Sequence, residues 1–118
     1  MSNRIISDSE FVYKFIIEKF KIPSSNIIIS GRSIGSGPAF HLASKFDILC
    51  LLLISPIKSV SNIARKIAGR LADLFVEERF DNLSAANKVK CPTAIIHGLE
   101  DTMVSHEDSI DLVSKGFS

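Results

Sequence analysis

Gly31-Arg32-Ser33-Ile34-Gly35-Ser36-Gly37 is the stretch on which the reading of this chain turns. It fits G-x-S-x-G and lies between a β-branched run, Ile27-Ile28-Ile29, and a segment in which Pro38 suits the first turn of a helix. A strand that turns straight into a helix forces the central serine into a strained backbone conformation. Small residues two positions to either side, Gly31 and Gly35, let the chains approach closely. The Ser33 hydroxyl is then exposed above the sheet. The Ile34 backbone N–H and the helix N-terminus favour a developing oxyanion. The plainer alternative is a glycine-rich crossover that only permits tight packing.

Working outward, the elements alternate. Ser7-Asp8-Ser9-Glu10 is expected to cap and open a helix. Its inward stripe is Phe11, Phe15, Ile16 and Phe20, and Pro23 stops it. The Ile27–Ile29 run reads as a strand buried on both faces, and Ala39 to Phe46 as a helix. Ile48 to Ile54 reads as a second apolar strand, ended by Ser55-Pro56. Val60 to Phe75 has helical period, with Ile63, Ile67, Leu71 and Leu74 on one face. Ser84 to Asn87 can form a helical turn. Thr93 to His97 reads as a third strand. Ser105 caps a last helix with Ile110 and Val113 inward, and Gly116 ends it. This order implies an α/β fold, three-layer α/β/α with a parallel sheet and right-handed crossovers. Three strands make a thin sheet whose first strand presents a bare apolar edge.

Composition narrows the function. The 118 residues suffice for one domain, and 46% hydrophobic with 23% charged residues is ordinary for a globular chain. Fourteen basic and thirteen acidic residues leave a net charge of +1, so no basic stripe points to nucleic acid. Cys50 and Cys91 make no disulfide framework and read as reduced, buried thiols. No secretory signal, lipidation motif or membrane-length apolar run is visible, so the expected location is intracellular, cytoplasmic or peripheral on membranes. Nothing in the pattern calls for a metal or cofactor.

Dinucleotide binding is the sharper rival for the glycine-rich turn, and three features oppose it. A helix precedes the first strand. The next strand ends in Ser55-Pro56 without an acidic residue for a ribose hydroxyl. Tyr13 is followed directly by Lys14, so no Y-x-x-x-K pair exists.

The second chemical element is His97-Gly98-Leu99-Glu100-Asp101. An acid just past a buried parallel strand lies at the carboxyl edge of the sheet, the edge that also holds Ser33. Serine hydrolases of this architecture run Ser, Asp, His along the chain, which makes Asp101 the best acid and Glu100 its neighbouring alternative. The plainer alternative for Asp101 is a turn residue capping its own loop. Asp108 and Asp111 read as solvated. The base is the difficulty. His106 follows Asp101 by five residues and reads as a local hydrogen-bonding group. His97 ends a buried strand and reads as structural. His41 lies eight residues past Ser33, about 12 Å along a helix.

Taken together, Asn26 to Pro38 resembles the nucleophile elbow of α/β-hydrolase-domain proteins, in particular the depalmitoylase-like and serine-aminopeptidase-like members. Leu53-Ile54-Ser55-Pro56 resembles that family's next strand end. Phe80-Asp81-Asn82, Val89-Lys90-Cys91-Pro92 and Ile95 to Asp101 resemble the approach to its acid strand. The likeness runs from about Asp8 to Lys115. It implies a serine hydrolase of acyl esters or thioesters, among them palmitoyl-protein thioesters, with an acylated protein as one substrate. Ser33 would be the nucleophile, Asp101 the acid and the Ile34 N–H one oxyanion donor. Earlier strands with an HG-type loop, a final strand with a glycine-flanked histidine and a cysteine-rich membrane anchor have no counterpart here. Residues 1–118 are therefore expected to form an incomplete α/β-hydrolase domain, inactive alone, with membrane contact only through other segments. The expectation from another class is a non-catalytic hydrolase remnant or interaction module.

Overall fold

The computed structural model describes residues 2–59 and 82–117. The helix expected at Val60 to Phe75, and Phe80-Asp81 of the acid-strand approach, lie outside them.

Three short strands, β1 (Ile28–Arg32), β2 (Cys50–Ile54) and β3 (Thr93–Ile96), form one parallel sheet in the order β1-β2-β3. Ile28 lies opposite Cys50 and Arg32 opposite Ile54; Leu51 lies opposite Thr93 and Ile54 opposite Ile96. This register puts Ile29, Gly31, Leu51, Leu53, Thr93 and Ile95 on one face, because side chains alternate along a strand. Leu51 and Leu53 are fully buried there. Helix α2 (Ser36–Lys45) packs on this face through Ala39 and Phe40. The covering helices run in a row: α1 (Ser2–Phe20) against α2, α2 against α3 (Asn82–Ala86), and α3 against the π-helical turn Leu112–Gly116 that continues α4 (His106–Asp111).

The opposite face corrects the expectation of strands buried on both sides. Ile28 and Ile96 are 58% and 59% exposed. β1 is an edge strand, as its sequence implied.

Helix α1 departs in two ways from its sequence reading. It begins at Ser2, so the expected capping residues are interior. Ser9 instead donates to the Ile6 carbonyl, and Glu10 reaches across to α2. The inward residue is Tyr13, stacked on Phe46 with ring centroids 4.2 Å apart and hydrogen-bonded to Ser24. The expected inward residues Phe11, Phe15 and Phe20 are exposed. A helix with apolar residues on more than one side cannot declare its buried face through periodicity alone.

Helix α4 is inverted in the same way. Ser105 caps it as expected, accepting the Glu107 N–H, but Ile110 and Val113 are exposed while Asp108, Ser109 and Leu112 are buried. Asp108, expected in solvent, accepts the Lys58 N–H at 3.1 Å. Asp111 pairs with Lys58 and Lys115 at 2.8 and 3.0 Å. Gly116 serves close packing: a Cβ there would stand 2.9 Å from the Ala86 Cβ. Cys50 and Cys91 are free and only partly buried, and desolvation pushes the Cys91 thiol above its usual pKa.

Candidate active site

Ser33 follows β1 directly and opens the 3-10 turn Ser33–Gly35 that leads into α2. Its φ is 51°, a left-handed conformation that side chains other than glycine rarely adopt. The strain expected of the elbow is therefore present. The extended chain of Arg32 reverses there within one residue to start the turn. The Ser33 hydroxyl is half-buried and has no hydrogen-bond partner among the described residues. The Ile34 N–H lies in the first turn, where backbone donors lack intrahelical acceptors.

The two elbow glycines are not equivalent. A Cβ on Gly31 would meet the Ala39 Cβ at 2.6 Å and the Gly35 carbonyl oxygen at 2.7 Å. Gly31 is thus the residue that lets α2 lie against β1. Gly35 has open space where a Cβ would go and a φ of −64°, so the close approach expected of it is absent.

Asp101 lies past the carboxyl end of β3, and Ser33 past that of β1. With β2 between them, the two strand ends are about 10 Å apart across the sheet edge. Asp101 Oδ1 accepts the N–H groups of Met103 and Val104, both at 3.0 Å. It therefore does cap its own loop. His97 Nε2 stands 3.6 Å from Oδ2. The Val104 N–H first, then the Met103 N–H, His97 and Ser55, hold the carboxyl below its usual pKa. Asp101 is ionised at neutral pH and sits where it can hold a cationic or N–H-donating partner.

Among the described residues no histidine is hydrogen-bonded to Ser33. His97 donates from Nε2 to the Val104 carbonyl at 2.8 Å, and its Nδ1 meets the Ser109 hydroxyl at 2.6 Å. With both nitrogens engaged, His97 holds the acid loop to α4, the structural part foreseen for it. His41 Nε2 is bound to Glu10 Oε1 at 2.6 Å. His106 makes no hydrogen bond among the described residues, contrary to its expected local bonding. It borders an apolar groove with Leu99, Ile110 and Val113.

Two polar residues at this edge escaped sequence reasoning. Ser55 ends β2 with a φ of 45° and donates its N–H to the Ile96 carbonyl at 2.8 Å, so it stands between Ser33 and Asp101. Asn82 is 1% exposed and is bonded to Ser36, directly behind the elbow. A lone asparagine in a polar stretch gives no periodic signal, and only its burial reveals it. The sequence cue, in hindsight, is a Ser-Pro ending an apolar strand.

A parallel sheet with a strained serine after its first strand and an acid after its third is a partial α/β-hydrolase fold. The solved Pyrococcus horikoshii acylaminoacyl peptidase shares it, with a TM-score of 0.66 over 86% of this chain and 19% of that one, at 18% identity. No family model matches the chain. In sequence it is a distant homologue of the α/β-hydrolase domain-containing proteins. It is 28% identical over 111 residues to Caenorhabditis elegans α/β-hydrolase domain-containing protein aho-3, and 26% identical to Homo sapiens α/β-hydrolase domain-containing protein 17B. Those matches cover 94% of this chain but only 32% and 38% of the relatives, so the chain spans about a third of their length.

Proposed function

We propose that residues 1–118 carry the nucleophile and acid of a serine hydrolase acting on acyl esters or thioesters. The carrying observation is Ser33 held at φ 51° with its hydroxyl unpartnered, on the same sheet edge as an ionised Asp101.

In this reading the Ser33 Oγ attacks the acyl carbonyl carbon while a histidine takes its proton. The Ile34 N–H and a donor from a second loop hold the oxyanion. Collapse expels the alcohol or thiol, which receives the histidine's proton, and water then releases the acid from Ser33. Asp101 orients the histidine. His41 and His97 are committed elsewhere, and nothing places His106 on Ser33, so the base comes from residues outside this segment. Relatives about three times as long agree with that requirement. The depalmitoylase-like resemblance makes a palmitoyl thioester the first substrate to try. Among the described residues no helix is long and apolar enough to cross a membrane.

The chain alone is expected to turn over a palmitoyl thioester little or not at all. Steady turnover lost in Ser33→Ala would overturn the inactivity but keep the nucleophile. Turnover that persists in Ser33→Ala would overturn the nucleophile. The engaged histidines also favour a second reading, a hydrolase remnant that binds a partner. Its mark would be partner binding unchanged by Ser33→Ala.

A further inference from the structure

The polar core behind Ser33 is more elaborate than a packed crossover needs. Ser36 is fully buried, and its hydroxyl donates to the Ser33 carbonyl at 2.6 Å. The same oxygen accepts the Ile57 N–H at 3.2 Å and one hydrogen of the Asn82 amide at 3.1 Å. Asn82 Nδ2 gives its other hydrogen to the Ile57 carbonyl at 2.9 Å, and the Asn82 N–H donates to the Lys58 carbonyl at 3.1 Å. Lys58 carries the network on: its N–H donates to Asp108, and its ammonium pairs with Asp111. A continuous set of bonds thus joins the elbow, the loop after β2, the start of α3 and helix α4.

Burying an amide and a hydroxyl brings little net stability, whereas leaving either unpaired costs about 1–3 kcal/mol. Such a network is therefore a device for fixing one arrangement. We propose that Asn82, acting through Ser36 and Ile57, is a positioning residue that locks Ser33 in its left-handed conformation. Asn82 does not touch the reacting atoms. It secures the first turn of the elbow, which on relaxing would return Ser33 to a negative φ and withdraw its hydroxyl from the sheet edge. The proposal rests on Ser33 being the nucleophile for its importance. Its test reads backbone geometry and so fails or holds independently of any turnover.

The test is nuclear magnetic resonance on the 118-residue chain as wild type, Asn82→Leu and Ser36→Ala, with Ile48→Val as a control. Ile48 is buried near the amino end of β2, away from the elbow. The Ser33 φ is read from its intraresidue amide–Hα cross-peak and coupling, and the network from amide exchange at Ile57. Both network variants are expected to lose the left-handed signature at Ser33. Exchange at Ile57 should quicken about tenfold relative to Leu53, as befits one lost buried bond. Ile48→Val should lower the melting temperature and leave Ser33 unchanged. If Asn82→Leu does not fold, Ser36→Ala decides alone, since alanine suits a helix start in that space. A left-handed Ser33 in either folded variant would overturn the proposal, whatever the exchange at Ile57.

Discussion

A serine held at φ 51° carries a standing conformational cost of about 1–2 kcal/mol. Glycine adopts that backbone freely, so Ser33→Gly is expected to stabilise the chain by about 1 kcal/mol in urea unfolding. A loss of stability would mean that the elbow is not strained. The flanking glycines should respond with opposite signs. Gly31→Ala drives a methyl to 2.6 Å from the Ala39 Cβ and is expected to cost about 1–3 kcal/mol. Gly35 has a helical φ and open space, so Gly35→Ala should be neutral or gain about 0.4–1 kcal/mol. The same unfolding series checks both, and equal losses at the two positions would contradict the geometry.

Between elements, helix α1 is tied to α2 by Glu10, which meets His41 at 2.6 Å and Lys45 at 2.8 Å. The hydrogen bond from His41, then that from Lys45, lowers the Glu10 pKa from 4.5 to about 2. A depressed carboxyl pKa stabilises the folded state fully above the unfolded value and loses that contribution as pH falls through the folded one. The Glu10 contribution to the α1–α2 attachment should therefore be fully present above about pH 5 and weaken from pH 4.5 toward pH 2. Asp101 and Asp111 are lowered too, so the comparison must be with Glu10→Gln. That variant should be less stable at neutral pH, with the difference shrinking over the same acid range. A difference independent of pH would contradict the assignment. Tyr13 fluorescence reports it, because the ring stacks on Phe46 where α1 meets the end of α2.

For the molecule as a whole, the exposed apolar residues Phe11, Phe15, Phe20, Ile28 and Ile96 are surface positions that sequence read as interior. The isolated chain is expected to associate as concentration rises, and Phe11→Ser with Phe15→Ser should suppress this in sedimentation while costing little stability. Undiminished association in the double variant would place the contact elsewhere. These positions also show where the sequence was legible. The strand–elbow–helix, the three strands in parallel and the acid after the third could all be read, because tight turns and β-branched runs are local signals. The buried faces of α1 and α4 could not, because periodicity finds an apolar stripe without saying what lies against it. The buried polar groups Ser36, Asn82 and Asp108 could not either, since a polar side chain reads as solvated until its partners, twenty to fifty positions away, are known.

The central claim, that Ser33 is a nucleophile served by a base outside this segment, is tested most directly by turnover of a palmitoyl thioester. The protein to assay is the longest in-frame polypeptide containing residues 1–118, as wild type, Ser33→Ala and Asp101→Asn. The account predicts steady turnover in the wild type, a loss on the order of 10⁶-fold in Ser33→Ala and about 10⁴-fold in Asp101→Asn. Wild-type turnover in Ser33→Ala, or none in the wild-type polypeptide, would contradict it.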